Sequence, residues 1–197
     1  MGALGTERES IHTRAPAATL DDLKGKRIRV NNPMEAAALE RLGMVPVEFP
    51  VNKVATAIST GEIDGSLVPP GPLFEFGIAR VAANHFMLGT SVAPLALVMN
   101  RSKLESLPAP ARDIIERLSG DWMAERYISL YTEDDQAALD RLAADPDRKV
   151  VTPSLADLAR AEAAFAAVVD DWLAADPRNS ELLKKVETML AEIRASE

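Results

Sequence analysis

Cysteine is absent from this chain of 197 residues, which removes disulfides, thiol nucleophiles and every cysteine-based metal site. Histidine is scarce. His12 and His85 are the only two, so a zinc site would need the fold to bring both beside a carboxylate. Positive charge is outweighed: 22 Lys+Arg stand against 30 Asp+Glu, a formal net charge of −8. That balance argues against nucleic acid or an anionic membrane surface as partner. No apolar run reaches the roughly 18 residues a spanning helix needs. Residues 1–13 lack the apolar core of a secretory signal and carry Glu7, Arg8 and Glu9 early, which taken alone reads as cytoplasmic. Catalytic and cofactor signatures are missing as well, with no Gly-x-Gly-x-x-Gly, Walker loop, Gly-x-Ser-x-Gly or His-Glu-x-x-His, so no cofactor is expected. Apolar residues, by contrast, make up 47%, enough to bury a core as one large domain or two small ones and too many for a disordered chain.

Residues 1–19 show no period and read as irregular. Leu20 to Gly25 looks like a short turn of helix stopped by glycine. Lys26-Arg27-Ile28-Arg29-Val30 alternates basic and aliphatic side chains, the pattern of a half-buried strand. Asn31 or Asn32 can cap the next helix, with Pro33 at its first position and Gly43 closing it after residues 34–42. A second strand over 44–49, a helix over 52–60 ended by Gly61, a third strand over 63–68 and a short helix near 74–79 complete a parallel βαβαβ pattern. Residues 85–100 are long enough for two strands or for one passing between lobes. Beyond Pro108 and Pro110, residues 111–144 read as one long helix with Ile115, Leu118, Trp122 and Ile128 on a stripe. A strand near 149–153 and helices over 161–175 and 180–193 follow. Ser154 and Asp157 have capping-box spacing, with Asp in place of Glu.

Few side chains suggest chemistry. Asp134-Asp135 and Asp170-Asp171 read as solvated helix faces, His85 as a structural histidine, and Trp122 and Trp172 as core. Arg29 is the exception. It sits near the carboxyl end of the first parallel strand, where open α/β sheets bind ligands, and just before a helix amino terminus that favours anions. Its planar fork can hold a carboxylate through two parallel bonds. By position alone, anion binding and a surface salt bridge are equally open.

Leu23-Lys24-Gly25-Lys26-Arg27-Ile28-Arg29-Val30 and Ala57-Ile58-Ser59-Thr60-Gly61-Glu62-Ile63-Asp64-Gly65 together resemble the DctP-type solute-binding subunits of TRAP transporters. Members of that family typically carry "D-L-K-G-x-K-x-R-V" and "A-L-Q-T-G-x-V-D-G". Asn84-His85, Leu97-Val98-Met99-Asn100 and Leu107-Pro108 extend the likeness, which runs from about Gly5 to Glu197. The resemblance implies an α/β, periplasmic binding protein-like fold of two lobes and no enzymatic activity. Here it implies one near-complete βαβ lobe, a partial second lobe and long C-terminal helices. Residues 14–92 and 137–197 would form the second, ligand-binding lobe. Residues 93–136 would be a returning strand and helix of an incomplete first lobe, and residues 1–13 the crossover segment.

The same resemblance places the family's carboxylate-binding arginine on Arg29, its post-strand asparagine on Asn32 and a second arginine on Arg8. It also shows departures: Val68 stands where the family often has a ligand-facing asparagine, Val51 where it often has an aromatic residue, and Lys53-Val54-Ala55 where it has "E-V-Y". The implied partners are a small organic acid and, in the parent protein, the TRAP membrane subunits, with a periplasmic location for that parent. The family's signal peptide and most of its first lobe precede the matched segment, so the chain is expected to be a fragment. A fragment would expose Leu95, Leu97, Val98 and Met99, and a homo-oligomer through residues 93–140 is expected. Two alternatives remain: a non-binding oligomerising fragment, and a small α/β enzyme on a carboxylate substrate with His85, Glu48 or Asp64 as base.

Overall fold

Parallel strands joined by helices dominate the computed structural model, which describes residues 2–196; the chain ends Met1 and Glu197 lie outside the described residues. Six strands form the main sheet in the order β4-β3-β5-β2-β6-β8. Their spans are β2 (Ser10–Thr13), β3 (Arg27–Val30), β4 (Val45–Glu48), β5 (Gly65–Val68), β6 (Asn84–Phe86) and β8 (Lys149–Val151). β3 runs parallel to β4 and β5, and β6 parallel to β8. β2 is antiparallel to both of its neighbours. The expected βαβαβ unit is therefore present as β3, α1 (Pro33–Arg41), β4, α2 (Val54–Thr60) and β5.

Residues 1–19 are more ordered than their lack of period suggests. β1 (Ala3–Gly5) pairs with β7 (Pro94–Ala96), and β2 lies inside the main sheet with all four residues buried. A strand paired on both sides and covered on both faces needs no polar–apolar alternation, so Ser10, His12 and Thr13 disguised it.

Two apolar cores flank the sheet. In one, Leu39 of α1 and Ala161 and Ala164 of α7 (Leu155–Ala175) pack on Ile11, Ile28, Leu67 and Phe86. In the other, Val54 and Ile58 of α2, Leu73 of α3 (Pro70–Glu75) and Leu142 of α6 (Asp121–Ala144) enclose Ile63 and Val68. The edge strand β4 carries Pro46, which cannot donate to a neighbour, and its residues are only half covered or exposed.

The segment over 93–136 departs most from expectation. Its long helix is broken: α4 (Arg101–Glu105) and α5 (Ala109–Arg117) precede α6, and Gly120, at φ +67°, turns the chain between α5 and α6. Trp122 is 52% exposed rather than core, Ile128 is exposed as well, and Trp172 is only half-buried. The two-stranded β1–β7 ladder offers these helices little surface to cover. Asp135, expected on a solvated face, is buried, while Asp134 is exposed. Helix α8 (Pro177–Ser196) follows α7, begun by its proline.

Candidate functional site

Arg29 is buried at 6% exposure although its strand pattern places basic residues outward. β3 has neighbours on both sides, and the side chain turns into a cavity of about 290 Å³ at the carboxyl ends of the parallel strands. Its Nε donates to the Phe49 carbonyl at 2.9 Å and its Nη1 to the Leu67 carbonyl at 3.4 Å. These carbonyls lie on β5 and just after β4, so the backbone on either side of β3 aims the guanidinium. Burial lowers the Arg29 pKa from its usual value, opposed by the charges of Glu9 and Glu35. A guanidinium stays charged under such a shift. Among the described residues it forms no ion pair.

Glu9, Asn31, Val51, Val68 and Tyr131 share this cavity with Arg29. Glu9 is buried, and both of its carboxylate oxygens accept from Asn31 Nδ2 at 3.0 Å. Burial first, then the negative charge of Glu35, pushes the Glu9 pKa up to about 7, partly offset by Arg29 and by the Asn31 amide. Glu35 itself is held from three sides. Its Oε2 accepts from the Asn31 backbone N–H at 2.7 Å, and its Oε1 from Asn32 Nδ2 at 2.8 Å and Ser91 Oγ at 3.2 Å.

The structure brings three of the five expected residues together: Arg29, Val51 and Val68. It does not bring Asn32 or Arg8 to them. Asn32 caps α1, its Oδ1 accepting from the backbone N–H groups of Met34 and Glu35 at 3.0 Å each, and its side chain borders a different cavity. Asn31 takes the place in the Arg29 cavity, because neighbouring residues of extended chain point to opposite sides. The same geometry separates Glu9 from Arg8, which packs by Gly89 at the wall of another cavity. Glu9, Asn31 and Tyr131 were missed. The one local signal was Glu35, three residues after the Asn32 cap, which marks the helix start but not the cavity.

Behind the cavity, the Val68 carbonyl lies 3.2 Å from His12 Nε2, and His12 Nδ1 lies 2.8 Å from His85 Nδ1 across β2 and β6. His85 Nε2 is 3.5 Å from Arg148 Nη1. Burial lowers both histidines, His12 to about 3 with help from His85, and His85 to about 4 with help from Arg148. On the α6 side, Asp135 Oδ1 accepts from the Gly71 N–H at 2.7 Å while its Oδ2 has no hydrogen-bond partner among the described residues. Burial is the chief cause raising the Asp135 pKa.

A mostly parallel α/β sheet with a buried arginine aimed into a cavity at its strand ends defines a ligand-binding lobe. The family described as "Bacterial extracellular solute-binding protein, family 7", DctP, matches residues 5–176, and the chain belongs to it. The 2,3-diketo-L-gulonate-binding periplasmic protein YiaO of Escherichia coli is 28% identical over 189 residues, 91% of this chain and 54% of that protein. The C4-dicarboxylate-binding periplasmic protein DctP of Rhodobacter capsulatus is 29% identical over 113 residues, 54% of this chain and 32% of that protein. A marine-metagenome TRAP solute-binding protein specific for aromatic acids, solved with metahydroxyphenylacetate, is 26% identical with a TM-score of 0.87. That match covers 96% of this chain and 62% of the solved one. The chain thus spans about half the length of the first of these relatives.

Proposed function

We propose that this chain carries the ligand-binding lobe of a periplasmic solute-binding protein that captures an organic acid by its carboxylate for a TRAP-type transporter. The observation that carries this reading is Arg29. It is a buried guanidinium, fixed by two backbone carbonyls, with no ion pair among the described residues and a cavity in front of it. An acid's carboxylate can take the direct ion pair that Arg29 does not make with Glu9 or Glu35, and a planar fork receives it better than a point charge does. The relatives named above bind a diketo sugar acid, C4-dicarboxylates and an aromatic acid, which supports a carboxylate as the shared feature. Val51 and Val68 shape the wall beside it. Function in this class is a shift of populations between open and closed lobes, with the closed form presented to the membrane subunits.

Residues 14–92 and 137–197 are assigned to the binding lobe, 93–136 to the other lobe and 1–13 to the crossover. The exposure of Leu95, Leu97, Val98 and Trp122 within this segment favours a homo-oligomer of this chain built through 93–140. The enzyme alternative loses its bases. Asp64 is paired with Arg27, Glu48 is exposed on the edge strand, and the His85 ring is tied to His12 and Arg148. None of the three lines the Arg29 cavity.

Calorimetric titration with a panel of monocarboxylates, hydroxy acids and dicarboxylates tests the reading. Arg29→Lys keeps the charge and loses the fork, so the affinity of whichever acid binds should fall by about 2–3 kcal/mol. An unchanged affinity in that variant overturns the assignment.

A further inference from the structure

The Arg29 cavity holds a second buried ionisable group that carboxylate capture leaves unused. Glu9 faces the same space, is fastened by Asn31 through both of its oxygens, and feels the charge of Arg29 without forming an ion pair with it. We propose, building on the carboxylate reading of Arg29, that Glu9 is a specificity-determining residue that selects hydroxylated monocarboxylates over dicarboxylates.

The physical case is one of charge and hydrogen bonding at close quarters. A ligand whose carboxylate meets Arg29 extends across the cavity toward Glu9. A hydroxyl there donates to the Glu9 carboxylate, an acceptor-only group when ionised. A second ligand carboxylate there meets the like charge of Glu9 at close range, which is unfavourable. The neighbouring charges reinforce the bias. Among the described residues, Arg29 from β3 is the cation whose charge Glu9 feels. Glu35 from α1 adds negative charge, the exposed Glu75 from α3 and the Tyr131 phenol from α6 line the same cavity, and Thr6 from Glu9's own segment is uncharged. Glu35 is already taken by Asn31, Asn32 and Ser91, so its oxygens are occupied. Carboxylates already outnumber the guanidinium here, so each further negative charge a ligand brings is less favourable, and a dicarboxylate is disfavoured against a monocarboxylate.

Selection should depend on pH. Glu9, raised to about 7 by burial and Glu35, is largely ionised at pH 8 and largely protonated at pH 6. A dicarboxylate is accepted only beside the protonated form, so discrimination against it grows as pH rises.

Three six-carbon acids separate the contributions: hexanoate, D-gluconate with its hydroxyls, and D-glucarate with hydroxyls and a second carboxylate. In calorimetry at pH 8, gluconate should bind about tenfold or more tightly than either of the others. At pH 6 the gap between gluconate and glucarate should shrink severalfold in the unmodified chain. Glu9→Gln keeps the size and the Asn31 contact and should bring gluconate and glucarate within about threefold of one another at both pH values. Thermal melting establishes that the variant folds, and the pH series on the unmodified chain reads the same effect without it. Equal affinity for gluconate and glucarate at pH 8, with binding still lost in Arg29→Lys, overturns the role of Glu9 alone. Failure of all three acids to bind overturns the carboxylate reading and this inference together.

Discussion

His12 and His85 form a buried pair whose proton positions follow from their neighbours. Arginine can only donate, so the Arg148 contact makes His85 Nε2 the acceptor and puts its proton on Nδ1. His85 Nδ1 then donates to His12 Nδ1, and His12 Nε2–H donates to the Val68 carbonyl. Both rings are held neutral, at about 3 and about 4. Above pH 6.5 they are neutral in folded and unfolded chain alike. As pH falls below 6.5 the unfolded chain takes up two protons that the folded chain refuses, costing up to about 1.4 kcal/mol per histidine per pH unit until the folded values are reached. Glu9 acts in the opposite sense. Raised from 4.5 to about 7, it binds a proton in the folded chain first and offsets one histidine between those values. Asp135, also raised by burial, works in the same direction. Chemical denaturation between pH 7 and 5 should therefore show a steeper loss of stability in Glu9→Gln than in the unmodified chain. Parallel profiles would contradict the buried, raised Glu9.

Among the elements, β5 is closely hemmed in by backbone. It lies between β2 and β3, and a Cβ on Gly65 would come within 2.4 Å of the His12 carbonyl oxygen and 2.8 Å of Thr13 Cγ2. The first obstacle is backbone in a hydrogen-bonded ladder and cannot turn aside. Gly65→Ala should cost about 1–3 kcal/mol, as overpacking does, read as a lowered denaturation midpoint. Because β5 ends at Val68 beside Arg29, the same change should weaken ligand binding. At the start of α7, Ser154 Oγ accepts from the Asp157 N–H at 3.1 Å, while the Asp157 carboxylate accepts from Ser154 Oγ at 2.9 Å. Ser154→Ala should cost about 1 kcal/mol by the same measurement. A loss under a few tenths would show that the buried Asp157, which also reaches the Leu20 N–H, holds the helix end without the serine.

At the scale of the molecule, apolar cover is uneven. The central strands of the main sheet are enclosed on both faces, whereas in the segment after β7 and in α5 and α6 Val98 is 79% exposed and Leu97, Met99, Ile114, Trp122 and Leu130 are exposed as well. Single exposed apolar residues are ordinary, but this concentration of them in one stretch of chain is what an association surface through 93–140 would use. With association through 93–140, sedimentation equilibrium at tens of micromolar should give at least a dimer, and Val98→Glu should shift it toward monomer. A monodisperse monomer would overturn the assignment of that face. The charge of −8 carries a separate expectation: a mobility-shift assay at moderate salt should show no nucleic-acid complex.

The sequence alone determined the local frame. Capping residues, glycine stops and aliphatic alternation marked β3, α1, β4, α2 and β5, because those signals act within a few residues of chain and survive any packing. It also marked Arg29, since a basic residue at a strand end before a helix start is itself a local pattern. Tertiary structure decided what those residues meet. β2 was invisible because its polar residues are satisfied by strands more than fifty positions away, and the partners of His12 exist only once β5 and β6 lie beside it. Asp135 became buried because α3 packs on α6 and presents the Gly71 N–H. Glu9 reached Arg29 from twenty positions earlier by the antiparallel path of β2 next to β5. Hydropathy and capping are written in neighbouring residues. The charge balance of a cavity is a sum over groups far apart in sequence, and only the fold sets its terms.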